Sequence, residues 1–176
     1  MTATGAFRVR RALSGDADPV ASLAARTFAD AFGTDNTPED LRLHLEAHCS
    51  PAALCRQLAD PEWATLLGES SGALCGYAQL CAGSPPGVGV PGPYRQLYRL
   101  YVERAFWGSG LASQLLDAAL DEARARSARH IWLTTWDRNQ RALGFYRKRG
   151  FEVIGTTTFT VGNDPQHDLV LSRTLD

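Results

Sequence analysis

The residues able to do chemistry are concentrated between positions 97 and 151. In Leu100-Tyr101-Val102-Glu103-Arg104-Ala105-Phe106-Trp107-Gly108-Ser109-Gly110-Leu111-Ala112-Ser113-Gln114-Leu115-Leu116 a strand-like run passes through a glycine turn into an amphipathic helix. The first amides of a helix lack intrahelical acceptors and sit at the positive end of its dipole. Glycines at 108 and 110 remove the Cβ atoms that would hold a ligand off. Such a turn can cradle a phosphate or pyrophosphate without any lysine. A turn chosen only for its backbone angles has the same composition, and this segment alone leaves both readings open.

A second constellation stands at Asn139-Gln140-Arg141-Ala142-Leu143-Gly144-Phe145-Tyr146-Arg147-Lys148-Arg149-Gly150-Phe151. Asn139 can cap a helix and Gly150 can end it. Ala142 and Tyr146 stand at i, i+4 on one face, with Leu143 beside them. A buried tyrosine needs a partner for its hydroxyl, and next to a ligand that partner can be a leaving group. The alternative is an ordinary core tyrosine.

Taken together, the two segments resemble the signatures of the GCN5-related N-acetyltransferases (GNAT). An aromatic, then Arg or Gln, then G-x-G-[IL]-[GA]-x-x-L-L is met by Phe106-Trp107-Gly108-Ser109-Gly110-Leu111-Ala112-Ser113-Gln114-Leu115-Leu116, after Tyr101-Val102. N-x-x-A-x-x-x-Y-x-K-x-G-F is met by Asn139, Ala142, Tyr146, Lys148, Gly150 and Phe151. Trp107 departs from the pattern and removes one side-chain contact to phosphate. Further likeness runs through Thr27-Phe28-Ala29-Asp30-Ala31-Phe32-Gly33, Asn36-Thr37-Pro38-Glu39-Asp40-Leu41, Gly76-Tyr77-Ala78 and Trp136-Asp137-Arg138-Asn139. These segments are similar to the bacterial spermidine/spermine branch.

The resemblance implies an α/β (α+β) fold: a mixed, mostly antiparallel central sheet with helices on both faces. It implies acetyl-CoA as co-substrate, held by Leu100, Tyr101, Val102, Trp107, Gly108, Ser109, Gly110, Leu111, Ala112, Asn139, Ala142, Tyr146 and Lys148, without a metal. The acetyl group would pass to a primary amine of a small molecule, polyamines included, by direct attack in a ternary complex. A non-catalytic acyl-CoA sensor and a protein N-terminal acetyltransferase are the alternatives on this fold. Homodimers are common in the family, so that assembly stays open.

The chemistry sets its own demands. A lysine-like ammonium is free base in only about 1 in 2,500 molecules at pH 7. The developing oxyanion needs a donor, which the family supplies from a backbone N–H near Val102. The departing thiolate gains from a proton donor, and the family assigns that to Tyr146. A general base is harder to find, since Leu97 to Val102 carries no carboxylate. Glu103 stands at the strand's end. Asp35, Glu39 and Asp40 could attract a cationic amine, although acidic residues at a helix start ordinarily complement its dipole.

Other candidates point to bland roles. His44 and His48 stand at i, i+4, but Leu45 occupies the position where a metalloprotease helix needs glutamate. His130, just before a strand, and His167, in a polar loop, show no partner in the sequence. Arg124, Arg126 and Arg129 suit a solvated helix end. Phe106, Trp107 and Trp136 serve as core or pocket aromatics without a base to stack on. Gly87, Gly89 and Gly92 spell G-x-G-x-x-G, but prolines flank them and no helix comes after.

The elements that must position these residues alternate along the chain. Strands are expected at Phe7 to Leu13, Trp63 to Leu67, Leu74 to Cys81, Leu97 to Val102, Ile131 to Trp136, from Phe151 to Ile154 or beyond, and near Leu169 to Leu171. Helices are expected from Pro19 to Gly33, around Leu41 and Leu45, from Pro51 to Pro61, from Gly110 to Ser127 and from Arg141 to Arg149. Residues 1–6 read as a flexible N-terminus and 7–176 as one N-acetyltransferase domain.

Composition agrees. The chain has 176 residues, 44% hydrophobic and 21% charged, which excludes a disordered or disulfide-scaffold protein. A net charge of −1 gives no field for nucleic acid or an anionic membrane. Cys49, Cys55, Cys75 and Cys81 form no C-x-x-C pair, and Met1 to Phe7 lacks the order of a secretory signal. Reduced thiols in a cytoplasmic protein are therefore expected.

Overall fold

A computed structural model describes residues 6–87, 89 and 92–175. Most of the expected N-terminal segment, and positions 88, 90 and 91 between the three spaced glycines, thus lie outside the described residues. The order is β1 (Arg8–Arg11), α1 (Ala17–Phe32), α2 (Pro38–His48), α3 (Pro51–Ala59), β2 (Ala64–Ser70), β3 (Ala73–Cys81), β4 (Tyr94–Val102), α4 (Leu111–Ala125), β5 (His130–Trp136), α5 (Gln140–Lys148), β6 (Glu152–Val161) and β7 (Asp164–Thr174). Short 3-10 turns at Ser14–Asp16 and Arg104–Phe106 complete it. One seven-stranded sheet has the order β1-β2-β3-β4-β5-β7-β6, and only the β4–β5 pair is parallel.

Local chemistry fixes the helix starts. Thr37 caps α2 by accepting from the Asp40 amide, Ser50 caps α3 from Ala53, and Asn139 caps α5 from Ala142. Pro38 and Pro51 occupy first-turn positions, where a missing N–H costs nothing. The last strand, Asp164–Thr174, is much longer than expected, and the one before it runs beyond Ile154 to Val161. Threonines at 156, 157, 158 and 160 pair with β7 in a hairpin whose outer face is open, so the sequence shows little hydrophobic alternation there.

Helices cover both faces. Leu111, Leu115, Leu116, Ala119, Leu120 and Ala123 of α4 are buried against Leu66, Ala78, Leu80, Leu97 and Ile131. Each leucine contributes about 1.5–3 kcal/mol by leaving water. On the other face α1 and α3 bury Val20, Leu23, Ala24, Ala53 and Leu54 on Leu67 and Tyr77. Gly68 and Gly76 pair directly across β2 and β3. A Cβ on Gly68 would stand 2.7 Å from Leu111, and one on Gly76 3.1 Å from Leu115. This notch lets the first turn of α4 sit low on the sheet.

Two irregularities interrupt the sheet at β4. Strands β4 and β5 pair only over Tyr94–Gln96 and His130–Trp132, and then part. In β4, Leu97 faces Leu80 and Arg99 faces Gln79, leaving Tyr98 as an extra residue. That bulge reverses the side-chain parity. Leu97 joins the α4 core, whereas Arg99 bonds to Gln79 on the opposite face. Cys49, Cys75 and Cys81 are buried and Cys55 is exposed, all of them free thiols. No described helix is long and apolar enough to cross a membrane.

Candidate functional site

The turn between β4 and α4 opens on a cavity of about 360 Å³. Gly108 and Gly110 have φ of +75° and +91°, a region costly for other residues. A Cβ built on either meets nothing within 4 Å, so a side chain there would project into open space and not into protein. Ser109 folds the turn, its hydroxyl and its amide both donating to the Phe106 carbonyl, at 2.6 and 3.2 Å. Among the described residues, the amides of Gly108, Gly110, Ala112 and Ser113 donate to no protein acceptor. Four open donors at a helix N-terminus suit a diphosphate.

Strand β4 supplies the next wall. The Glu103 amide donates to Cys75 on β3 at 2.8 Å, so strand alternation turns the polar edge of Val102 toward the parted β5. The Val102 carbonyl accepts from the Trp107 indole at 2.8 Å. Its N–H shares that edge, where no strand pairs with it. Trp107 also carries the Arg141 guanidinium 3.4 Å above its ring. Arg141 has no carboxylate partner among the described residues, and it lines the cavity. Arg141 thus brings a cation to this wall from α5.

Ten of the thirteen residues expected around the coenzyme line this cavity: Leu100, Tyr101, Val102, Trp107, Gly108, Gly110, Ala112, Asn139, Ala142 and Tyr146. Ser109 is occupied within the turn, Leu111 is wholly buried over Gly68, and Lys148 is exposed at the end of α5. Neither Leu111 nor Lys148 lines it.

A second cavity of about 310 Å³ lies behind the first, where β4 and β5 part. Leu100, Tyr101, Asn139, Ala142 and Tyr146 line both. Tyr146 is 8% exposed, packed between Phe145 and Phe151. Burial raises its phenol above the ordinary value, so it stays protonated at neutral pH. Its hydroxyl makes no hydrogen bond among the described residues.

The second cavity is roofed by Phe28 and Phe32 of α1 and His44 of α2, over Trp132, Thr134 and Trp136 of β5 and Phe159 of β6. Two charged side chains also line it. Asp168 on β7 lies between Trp136 and Thr157 of the adjacent strands. Burial pushes its carboxyl up to about 6, Asp137 adding to the rise while the Thr134 side chain and His167 oppose it. Arg99 donates to Gln79 at 3.1 Å and to the His48 carbonyl at 2.9 Å. His44 stacks on Phe28 at 4.1 Å with its Nδ1 buried and unpartnered. Burial, with His48 and Arg99 nearby, pushes its imidazole down to about 4, so the ring is neutral.

The carboxylates that the sequence offered as a base are occupied elsewhere. Glu103 pairs with Arg26 at 2.7 Å and Glu39 with Arg42 at 2.7 Å. Asp40 accepts from Thr37 and from the Asn163 amide, pinning the β6–β7 turn to α2. None of them, nor Asp35, lines either cavity. His167 corrects an expectation: it lies on β7 and meets Asp137 at 3.0 Å. Asp168, Arg99, His44 and Arg141 are what the motifs missed. A parity reading that carried Gln166, Asp168 and Val170 along one strand face would have flagged Asp168. Nothing in the sequence announces the bulge that turns Arg99.

Comparison with known proteins agrees with this geometry. The family model described as "Acetyltransferase (GNAT) family" matches residues 24–151. An uncharacterized N-acetyltransferase of Mycobacterium tuberculosis is 36% identical over 160 residues, covering 91% of this chain and 98% of that protein. Another, from Lactobacillus delbrueckii subsp. lactis, is 30% identical over 154 residues, covering 88% and 89%. Among solved structures, PaiA N-acetyltransferase from Thermoplasma acidophilum in complex with coenzyme A superposes with a TM-score of 0.80. It shares 16% identity, and the match covers 96% of this chain and 99% of that one.

Proposed function

The chain belongs to the GNAT family and is an acetyl-CoA-dependent N-acetyltransferase; from that premise we propose that it acetylates a primary amine of a small molecule held in the second cavity. The observation that carries this reading is the set of residues common to both cavities, with the buried, protonated Tyr146 among them. A donor in one chamber and an acceptor in the other would meet there.

Each residue then has a physical task. The amides of Gly108, Gly110, Ala112 and Ser113 grip the diphosphate, and Arg141 on Trp107 adds a cation to that wall. Bound acetyl-CoA supplies an activated acyl group and a sulfur leaving group. The acceptor's ammonium gives up one proton to water before the neutral amine attacks. The Val102 N–H is free to hold the acyl oxygen, and as the C–S bond breaks Tyr146 protonates the sulfur and recovers a proton from the new amide nitrogen. Direct attack by the amine fits the linings, because among the described residues no cysteine borders either cavity to relay an acyl group. At about 310 Å³ the acceptor chamber suits a small molecule. A polyamine would meet one carboxylate there, Asp168, and also a buried cation, Arg99, so an acceptor with a single ammonium fits better.

Initial-rate kinetics of thiol release, with products identified by mass spectrometry, test the reading. Intersecting double-reciprocal patterns and an N-acetylated small amine are expected. Parallel patterns, or no transfer to any amine, would overturn it.

A further inference from the structure

We propose that the second cavity selects an acceptor that carries an acid group as well as its amine, the ammonium held by Asp168 and the acid by Arg99. This deepens the proposed use of that cavity and rests on it. Both side chains line the cavity wall, and they are only 5% and 7% exposed. Among the described residues neither has an ion-pair partner. They do not pair with each other, because β5 separates the strands that carry them. A buried unpaired charge is costly, and a ligand of opposite charge relieves the cost at each end.

The surroundings leave those partners to the ligand. The titratable neighbour of Asp168 along the strand, His167, is engaged with Asp137, and His44 is neutral. Arg99 uses two of its five N–H groups on Gln79 and the His48 carbonyl, both uncharged acceptors. No carboxylate other than Asp168 lines the cavity among the described residues. Phe28, Phe32 and Trp136 line the same cavity and give an apolar wall for the body of the acceptor. A purely structural Arg99, tying the α2–α3 corner to the sheet, would be indifferent to the acceptor's acid group, and that is what the experiment separates.

The test compares paired acceptors on the full chain: L-phenylalanine with phenethylamine, 4-aminobutyrate with propylamine, 6-aminohexanoate with pentylamine, and spermidine alone. Calorimetric binding in the presence of coenzyme A is measured beside thiol release. At least one acid-bearing member is expected to exceed its acid-free partner by about 10- to 100-fold in kcat/KM or affinity, the range of one charge-assisted hydrogen-bonded contact. Arg99→Gln is expected to bring that ratio toward one, while Asp168→Asn weakens both members of the pair. Unchanged coenzyme A affinity reports that each variant is folded, and if Arg99→Gln does not fold the wild-type ratio decides alone. Acid-dependent binding without turnover upholds this selectivity and overturns the transfer reading. Equal or better use of the acid-free amines, or of spermidine, overturns the selectivity while the transfer reading stands. No binding and no turnover by any member overturns it too.

Discussion

The two chambers that meet at Tyr146 are built from opposite materials. The first is chiefly a backbone device: four open amides, two left-handed glycines and one strand edge, all within residues 100–113, with walls added by α5 and by Thr27 and Ala31 of α1. The second is a side-chain device, converging from α1, α2, β4, β5, α5, β6 and β7, with residues from 28 to 168. Main-chain donors recognise what every coenzyme molecule shares, and they need only a local conformation. Side chains gathered from distant segments can differ from one relative to the next while the cradle is kept. The contrast teaches where generality and selectivity reside in this fold.

The border residue gives the sharpest test. Tyr146→Phe is expected to lower kcat about 10²- to 10³-fold with coenzyme A affinity unchanged, since only proton donation is lost. An unaltered kcat would leave the two chambers without a chemical junction.

The acceptor chamber is next distinguished by its response to acid. His44 titrates at about 4 in the folded chain against 6.5 ordinarily, so the unfolded chain binds its proton more tightly. Its contribution is therefore complete above pH 6.5 and lost as pH falls toward 4, about 3 kcal/mol at most. Urea denaturation across that window is expected to show the fall, and His44→Phe to flatten it.

Asp168 has the reverse sign. Its folded value of about 6 lies above the ordinary 3.8, so ionisation costs the folded state as pH rises through that window. Asp168→Asn is expected to stabilise the protein by about 1–3 kcal/mol at pH 8 and by nothing below pH 3.8, while acceptor binding is weakened. In the wild type, acceptor binding is expected to strengthen as pH rises through about 6. Destabilisation at pH 8 would remove Asp168 from the account of this chamber.

The smallest effect belongs to the cradle. Gly110→Ala forces an L side chain to a φ of +91° and is expected to cost about 1–2 kcal/mol. Acetyl-CoA KM would rise roughly tenfold, with the KM for the acceptor unmoved. A change in acceptor KM instead would mean that the chambers are not separable.

Much of the first chamber is legible in the sequence alone. The caps and prolines of α2, α3 and α5 and the face of α4 come from short-range pattern. So do the glycine turn and the phenol on α5, each recorded in a contiguous stretch. The β6–β7 hairpin reads too short from pattern, because Thr156 to Thr160 have one open face and give no apolar alternation. Its length matters, since it carries Asp168 and Phe159 to the acceptor chamber.

What the sequence by itself determined is therefore the glycine turn before α4, because unpaired amides and positive φ angles are local properties of a few adjacent residues. Which carboxylate, cation and aromatic rings would surround the acceptor was decided only by tertiary structure. The parting of β4 from β5 opens the chamber, and one extra residue at Tyr98 turns Arg99 away from the leucine core. Neither event is encoded by the residues it moves; both are set by strand register against neighbours far along the chain.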